Sequence, residues 1–176
     1  ASGAKGSLRA ILRFRGRAEH SAYPELGKSA IAPMLVLLSS IDKLKLPTDK
    51  MLGKTTVNIG TIRAGTAGNI VPELAETELM FRLVGDVTKV KKALEKWVGK
   101  KAEIEYGSHI PAQKFDTIPG FAVTPVAYTS DIPLLTRWGK PLLFGPGSIN
   151  VAHTTDEYVA LDELRRAVDS YERIVR

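Results

Sequence analysis

The stretch Gly145-Pro146-Gly147-Ser148-Ile149-Asn150-Val151-Ala152-His153-Thr154-Thr155-Asp156-Glu157-Tyr158 concentrates side chains that can do chemistry. His153 stands among two hydroxyls and two carboxylates. An imidazole titrates near neutrality, and an acidic neighbour can fix which ring nitrogen carries the proton. Such a group can hold a metal ion or act as a general base. A turn carrying a surface histidine accounts for the same residues. Gly145–Ser148 could set backbone N–H groups beside an anion, or simply make a tight turn. His20 falls in a loop rich in breakers, and Asn69 follows Gly65 and Gly68, where asparagine tolerates positive φ. Arg82 sits on an alternating segment, where pairing with Glu76 or Glu78 across a strand is its ordinary role. His109 has no neighbours that suggest chemistry. With no cysteine in the chain, any metal must be held by His, Asp or Glu.

These residues need elements to position them. Residues 7–15 place Leu8, Ala10, Leu12 and Phe14 on one face and arginines on the other, which predicts a half-buried strand. A loop over 16–28 follows, and Ser29 can cap a helix that repeats Ile31, Met34, Leu35, Leu38, Ile41 and Leu44. Thr55–Arg63 is rich in β-branched residues and predicts a strand. Leu74–Val84 alternates again, a helix runs from Val87 to Val98, and Ala102, Ile104 and Tyr106 mark a last strand. The order β-α-β-β-α-β predicts a ferredoxin-like α+β unit over residues 7–110, with both helices on one face of an antiparallel sheet. Residues 111–176 differ. They are proline-rich at first, with an extended piece at Ala122–Ala127 and a helical turn at Leu134–Trp138. A strand at Pro141–Phe144 leads to the His153 loop, and a helix spans Asp162–Val175. A strand and a single amphipathic helix cannot bury their apolar faces alone. They need a larger sheet to join.

The composition excludes several classes. A chain of 176 residues can bury a core of its own, and no apolar run reaches the roughly 20 residues a membrane span needs, so no membrane partner is expected. The absence of cysteine fits a cytoplasmic protein. A net charge of +6 raises the question of nucleic acid. The basic residues are spread thinly, however, and no aromatics are interleaved with them as stacking platforms. The helical lysines are expected to form a solvated face, with no nucleic-acid partner.

Three blocks resemble a known family. Residues 16–31, residues 58–84 and Gly145 to Val159 are similar, in that order, to signature segments of the zinc-dependent family of acetylornithine deacetylase, succinyl-diaminopimelate desuccinylase, aminoacylase and carboxypeptidase G. The resemblance implies that residues 7–110 are the family's lid, or dimerisation, domain. Residues 111–176 would be the C-terminal part of its catalytic zinc domain. It implies a metallopeptidase or deacylase that hydrolyses the amide of N-acyl amino acids or small peptides. It also implies one or two zinc ions, for which cobalt can substitute, and a homodimer formed through the lid.

Residue by residue, the resemblance makes His153 a metal ligand and His20 the lid histidine that stabilises the tetrahedral oxyanion, in several members across a dimer interface. Asn69 matches the asparagine near the scissile amide, and Arg82 the arginine that binds a substrate carboxylate, a task suited to its planar fork. Gly147, from the Gly145–Ser148 turn and not from a matched family position, is the residue whose backbone N–H could meet the substrate's anionic end. The family's remaining zinc ligands and its general base precede the lid and have no match here, so this chain alone is expected to be inactive. Thr129-Ser130-Asp131 stands where relatives have Thr-Asp-Ala or Thr-Glu-Ala, within a segment shorter than in many of them. The alternative reading is a non-catalytic ferredoxin-like module that dimerises or binds a small ligand.

Overall fold

The computed structural model describes residues 1–137 and 139–176. A short piece, Gly3–Ala4 (β1), leads into the strand Gly6–Arg15 (β2). Next come Glu19–His20 (β3), the helix Ile31–Leu38 (α1), and a small hairpin of Thr48–Asp49 (β4) and Gly53–Lys54 (β5). The strand Thr56–Ala64 (β6), the short Ile70–Val71 (β7) and the strand Leu74–Leu83 (β8) follow. The helix Val87–Val98 (α2) and the strand Glu103–Ile110 (β9) close the unit. The long strands lie in the order β6-β8-β2-β9, and every pair is antiparallel. The class is α+β, as expected, and the long elements come in the order β-α-β-β-α-β.

Period-two alternation decides which face is buried. Leu8, Ala10, Leu12 and Phe14 of β2 and Ala75, Leu79, Phe81 and Leu83 of β8 are fully buried. They form one cluster with Met34, Leu37 and Leu38 of α1 and Val90, Leu94 and Val98 of α2, so both helices cover the same face. Burying each such large side chain contributes about 1.5–3 kcal/mol. The one buried hydroxyl in the middle of β8 is satisfied, because Thr77 Oγ1 donates to the Thr61 carbonyl at 2.9 Å. The opposite face carries cross-strand ion pairs: Arg9 with Glu78 at 2.6 Å, Arg13 with Glu76 at 2.7 Å and also with Glu105, and Arg15 with Glu103 at 2.8 Å. Exposed pairs of this kind contribute little each, but they keep the face soluble and the register fixed.

Asp86 caps α2, its carboxylate accepting from the Thr88 N–H at 2.8 Å. Ser29, expected to cap α1, is not its N-cap residue, which is Ala30; the Ser29 hydroxyl instead accepts the Ala32 N–H from one residue further out, at 3.3 Å. The helix is shorter than its sequence period suggests. The hydroxyls of Ser39 and Ser40 bond back to the carbonyls of Val36 and Leu37, and the chain rewinds into a 3-10 turn at Ile41–Lys43. Within α1 itself Leu37 is buried and Leu35 is more than half exposed.

Beyond Ile110 regular structure thins out. Gln113–Lys114 (β10) and Pro125–Val126 (β11), the latter inside the expected extended piece, flank β1 in a second small sheet. A 3-10 turn forms at Ile132–Leu134; Trp138, at the end of the expected turn, lies outside the described residues. The strand expected at Pro141–Phe144 is not formed. Its apolar run has no ladder partner here, and a strand exists only through its neighbours. The last helix, Leu161–Val175 (α3), begins one residue before expectation. Its contacts are few: Tyr171 meets Phe144 edge to face at 5.2 Å, and Arg173 lies 4.7 Å over Phe121. Of its apolar residues only Ala167 is buried, while Leu161, Val168, Tyr171 and Val175 face outward.

Candidate functional site

The candidate residues fall into two groups. At one end of the large sheet, β3 and β7 pair with His20 opposite Ile70, and the Ser21 N–H donates to the Asn69 carbonyl at 2.9 Å. His20 and Asn69 are therefore neighbours, and both are exposed. The loop that carries them lies tight against this pair of strands because Gly27 has no side chain. A Cβ there would come 2.9 Å from Val71 Cγ1 and Glu19 Cβ. His20 Nδ1 accepts the Ala22 N–H at 3.1 Å. In the neutral ring this bond puts the proton on Nε2, which is left as an outward donor.

Arg82 stands at the far end of the same sheet, opposite Ser7 on β2 and Thr56 on β6. From Leu74 to Arg82 β8 rises about 3.3 Å per residue, so roughly 26 Å of strand separates Arg82 from the His20 end. Pairing with Glu76 or Glu78 does not occur, because those carboxylates are taken by Arg13 and Arg9. Arg82 instead donates from Nη1 to Thr129 Oγ1 at 3.1 Å. Among the described residues it makes no ion pair. Its guanidinium keeps both its charge and most of its donors.

Tyr128, the neighbour of Thr129, lines a groove together with Gly145, Gly147, Ser148, Val151 and Glu157. Gly147 has φ +88°, and its N–H donates to Glu163 Oε2 at 3.1 Å. The carboxylate that receives this N–H belongs to α3. His153 is the one non-glycine residue among those described with positive φ, at 63°. Histidine enters this region more readily than most residues, but a non-glycine there marks a position the surroundings dictate. The His153 N–H donates to Glu157 Oε2 at 2.9 Å. Glu157 thus orders the backbone of the loop rather than the imidazole. Neither Asp156 nor Glu157 caps α3, whose N-cap is Ala160.

No three His, Cys, Asp or Glu side chains converge among the described residues. A metal centre needs about three protein ligands, so the described residues do not make a complete site by themselves. His109 is exposed on the edge strand β9 and meets no other candidate. Sequence reasoning left Thr129 and Glu163 without roles. Their partners are 47 and 16 residues away, and only the Thr129-Ser130-Asp131 segment gave any signal.

Residues 2–105 match the model of a peptidase dimerisation domain. The chain is 34% identical to a protein of Emericella nidulans named probable carboxypeptidase, covering 99% of this chain and 47% of that protein. It is 38% identical to a peptidase M20 domain-containing protein of Schizosaccharomyces pombe, covering 98% of this chain and 44% of that one. The chain spans about half the length of the curated relatives it matches. Among solved structures it is similar to a tripeptidase from Staphylococcus aureus, with a TM-score of 0.68 and 25% identity over 94% of this chain and 49% of that one. It is also similar to an aminopeptidase from Bacillus cereus, with a TM-score of 0.61 and 25% identity over 94% of this chain and 50% of that one.

Proposed function

The chain belongs to the M20 peptidase family, whose dimerisation domain it carries, and from that premise we propose that the whole protein is a zinc-dependent amidohydrolase acting on a small peptide or N-acyl amino acid with a free carboxylate. The observation that carries this reading is Arg82. It is a half-buried guanidinium with no carboxylate partner among the described residues, and Thr129 ties it to the segment whose Tyr128 lines the Gly145–Ser148 groove. A planar fork so placed suits bidentate binding of a carboxylate. In this reading residues 7–110 are the lid and residues 111–176 complete a catalytic domain. That domain's sheet would pair Pro141–Phe144 and cover the exposed apolar face of α3. A cytoplasmic location, suggested by the cysteine-free sequence, belongs to the same proposal. No helix among the described residues is long and apolar enough to cross a membrane.

His153 would contribute one ligand to the metal, which when bound supplies a nucleophile at neutral pH and polarises the scissile carbonyl. Arg82 would hold the substrate carboxylate, with the Gly147 N–H nearby once Glu163 yields it. His20 would donate from Nε2 to the charge that develops on the carbonyl oxygen, and Asn69 would orient the amide beside it. One copy cannot bring Arg82 and His20 to the same small molecule across the length of β8. Two copies can. Among the described residues the edge strand β6 leaves one side unpaired along Thr56–Ala64, with its own Ile62 half exposed and Leu35 and Val36 of α1 exposed on the same helical layer. Edge-to-edge pairing of two β6 strands would extend the sheet and bury these residues, carrying one lid tip toward the other copy's base.

The experiment is a pair of variants in the full-length protein. His153→Ala should lose bound zinc, measured by elemental analysis after dialysis. His20→Ala should keep the metal and lose mainly kcat. A His20→Ala protein of full activity would remove that role, and a His153→Ala protein that still binds its full complement of zinc would remove the other. The chain of residues 1–176 alone should hydrolyse neither dipeptides nor N-acetyl amino acids in the presence of zinc.

A further inference from the structure

We propose that Thr129 is a positioning residue that orients the Arg82 guanidinium for a substrate carboxylate; this rests on the carboxylate-binding reading of Arg82 given above. Three features of the surroundings support it. On the open face of the sheet the other central arginines are each held by a carboxylate: Arg9 by Glu78, Arg13 by Glu76 and Glu105, and Arg15 by Glu103. Arg82 on the same face is held by a hydroxyl, at 3.1 Å. A neutral acceptor fixes one N–H of the fork without neutralising the charge, and the remaining donors stay available. A carboxylate in its place would compete with the substrate.

The hydroxyl is also anchored. Thr129 follows β11 by three residues, and β11 is paired in parallel with β1. The Lys5 N–H donates to the Val126 carbonyl at 3.1 Å and the Ser2 N–H to the Thr124 carbonyl at 3.0 Å. Tyr128, Thr129 and Ser130 are all half-buried. Finally, this anchored segment is the one whose Tyr128 lines the groove with Gly145, Gly147 and Ser148. The hydrogen bond therefore ties a side chain of the lid sheet to the wall of the groove, and it sets where the fork points relative to that loop.

The test uses the full-length protein with zinc and a panel of dipeptides and N-acetyl-L-amino acids, following whichever member is turned over fastest. Thr129→Val removes the acceptor at nearly constant shape and should raise KM about 5- to 10-fold, the net worth of one ordinary hydrogen bond, with kcat changed much less. Thr129→Ser should restore KM to within about twofold, which a merely structural role of the threonine methyl would not do. Arg82→Gln should raise KM more, and Thr129→Val should add nothing in that background. If Arg82→Gln raises KM but Thr129→Val does not, or if the two effects simply multiply, the positioning role is overturned and the carboxylate reading stands. If Arg82→Gln leaves KM unchanged, or no panel member is hydrolysed, the carboxylate reading falls and this proposal with it.

Discussion

The sheet-and-helix unit up to Ile110 and the segment after it meet their apolar residues in opposite ways. In the first, Leu8, Leu12, Phe14, Leu79 and Phe81 of two adjacent strands lie under α1 and α2 and are fully buried by residues of the same unit. In the second, α3 has a strong apolar stripe, yet Leu161, Val168, Tyr171 and Val175 face solvent and Ala167 alone is buried. Both regions carry amphipathic sequence. The difference is whether the surface that the stripe requires is supplied by the same stretch of chain. A stripe records that a partner surface exists, and not where it comes from.

Truncating one side chain in each region should separate them most widely. Phe81→Ala removes a fully buried ring from the cluster and should destabilise by about 3–5 kcal/mol in urea unfolding followed by far-ultraviolet circular dichroism. Tyr171→Ala, at the corresponding place on α3, loses one edge-to-face contact with Phe144 and one exposed hydrogen bond to the Phe144 carbonyl. It should cost about 1 kcal/mol or less. Equal losses at the two sites would break the contrast.

The junction between the regions is the next place to press. Gly6 stands where the chain enters β2 beside the segment that leaves β9. A Cβ there would lie 2.2 Å from the Ile110 carbonyl oxygen and 2.5 Å from the Ala112 nitrogen. Both are backbone atoms that cannot swing away, so Gly6→Ala must push the two connecting segments apart. The expected loss is about 1–3 kcal/mol. Gly60→Ala, whose Cβ would meet only the Glu78 carbonyl at 3.6 Å, should be felt far less. A Gly6→Ala protein of unchanged stability would show that the two segments are not held together there.

Legibility in the sequence follows the same division. The bounds of α2 and the faces of β2 and β8 could be read because each period is complete within one local stretch: Val87, Val90, Leu94 and Trp97 at helical spacing, and apolar residues alternating with arginines or glutamates. The end of α1 could not, since Ser39 and Ser40 turn the chain by bonds that leave the leucine spacing intact. Two-residue pairings such as β1 with β11 have no period to detect. The run Pro141–Phe144 has the composition of a buried strand but finds no ladder here. For the site, the family resemblance rather than residue type pointed to His20, Asn69, Arg82 and His153, and the Gly145–Ser148 run to Gly147, but spacing along the chain did not reveal that His20 and Arg82 lie at opposite ends of one sheet. Nor could it find Thr129 as the partner of Arg82, because nothing in a pattern marks a hydroxyl 47 residues away as an acceptor.

A smaller effect tests the local part of that reading. Asp86→Ala removes the acceptor for the Thr88 N–H and should cost about 1 kcal/mol, with Asp86→Asn recovering most of it because the amide oxygen still accepts. The corresponding change before α3 has nothing to remove, since Ala160 offers no side-chain cap. An Ala160→Ser variant should instead add a few tenths of a kcal/mol to α3.

The weakest effect is the response to acid, and it too is divided unevenly. In the first region the Leu52 and Met51 N–H groups hold the Asp49 carboxyl below its ordinary value, and the Thr88 N–H does the same for Asp86. Hydrogen bonds from Arg9 and Arg15 lower Glu78 and Glu103. After Ile110 Asp162 is lowered in the same way by Arg166. For each of these groups the unfolded chain binds protons more readily than the folded one. Their contribution is therefore present above the unfolded values, about 3.8 for Asp and 4.5 for Glu, and is lost as pH falls through the lower folded values. Tm should be flat from neutrality to about pH 5 and decline below about pH 4.5. Added salt should weaken the share due to the Arg9 and Arg15 pairs more than the share due to Asp49 and Asp86, whose partners are backbone N–H groups at fixed positions. Glu78→Gln should flatten part of the decline at low salt and change little at high salt. A Tm that rose on acidification below pH 4.5 would reverse the sign of the argument, and the ion pairs of the open face would then have to be counted as a load on the sheet rather than a support.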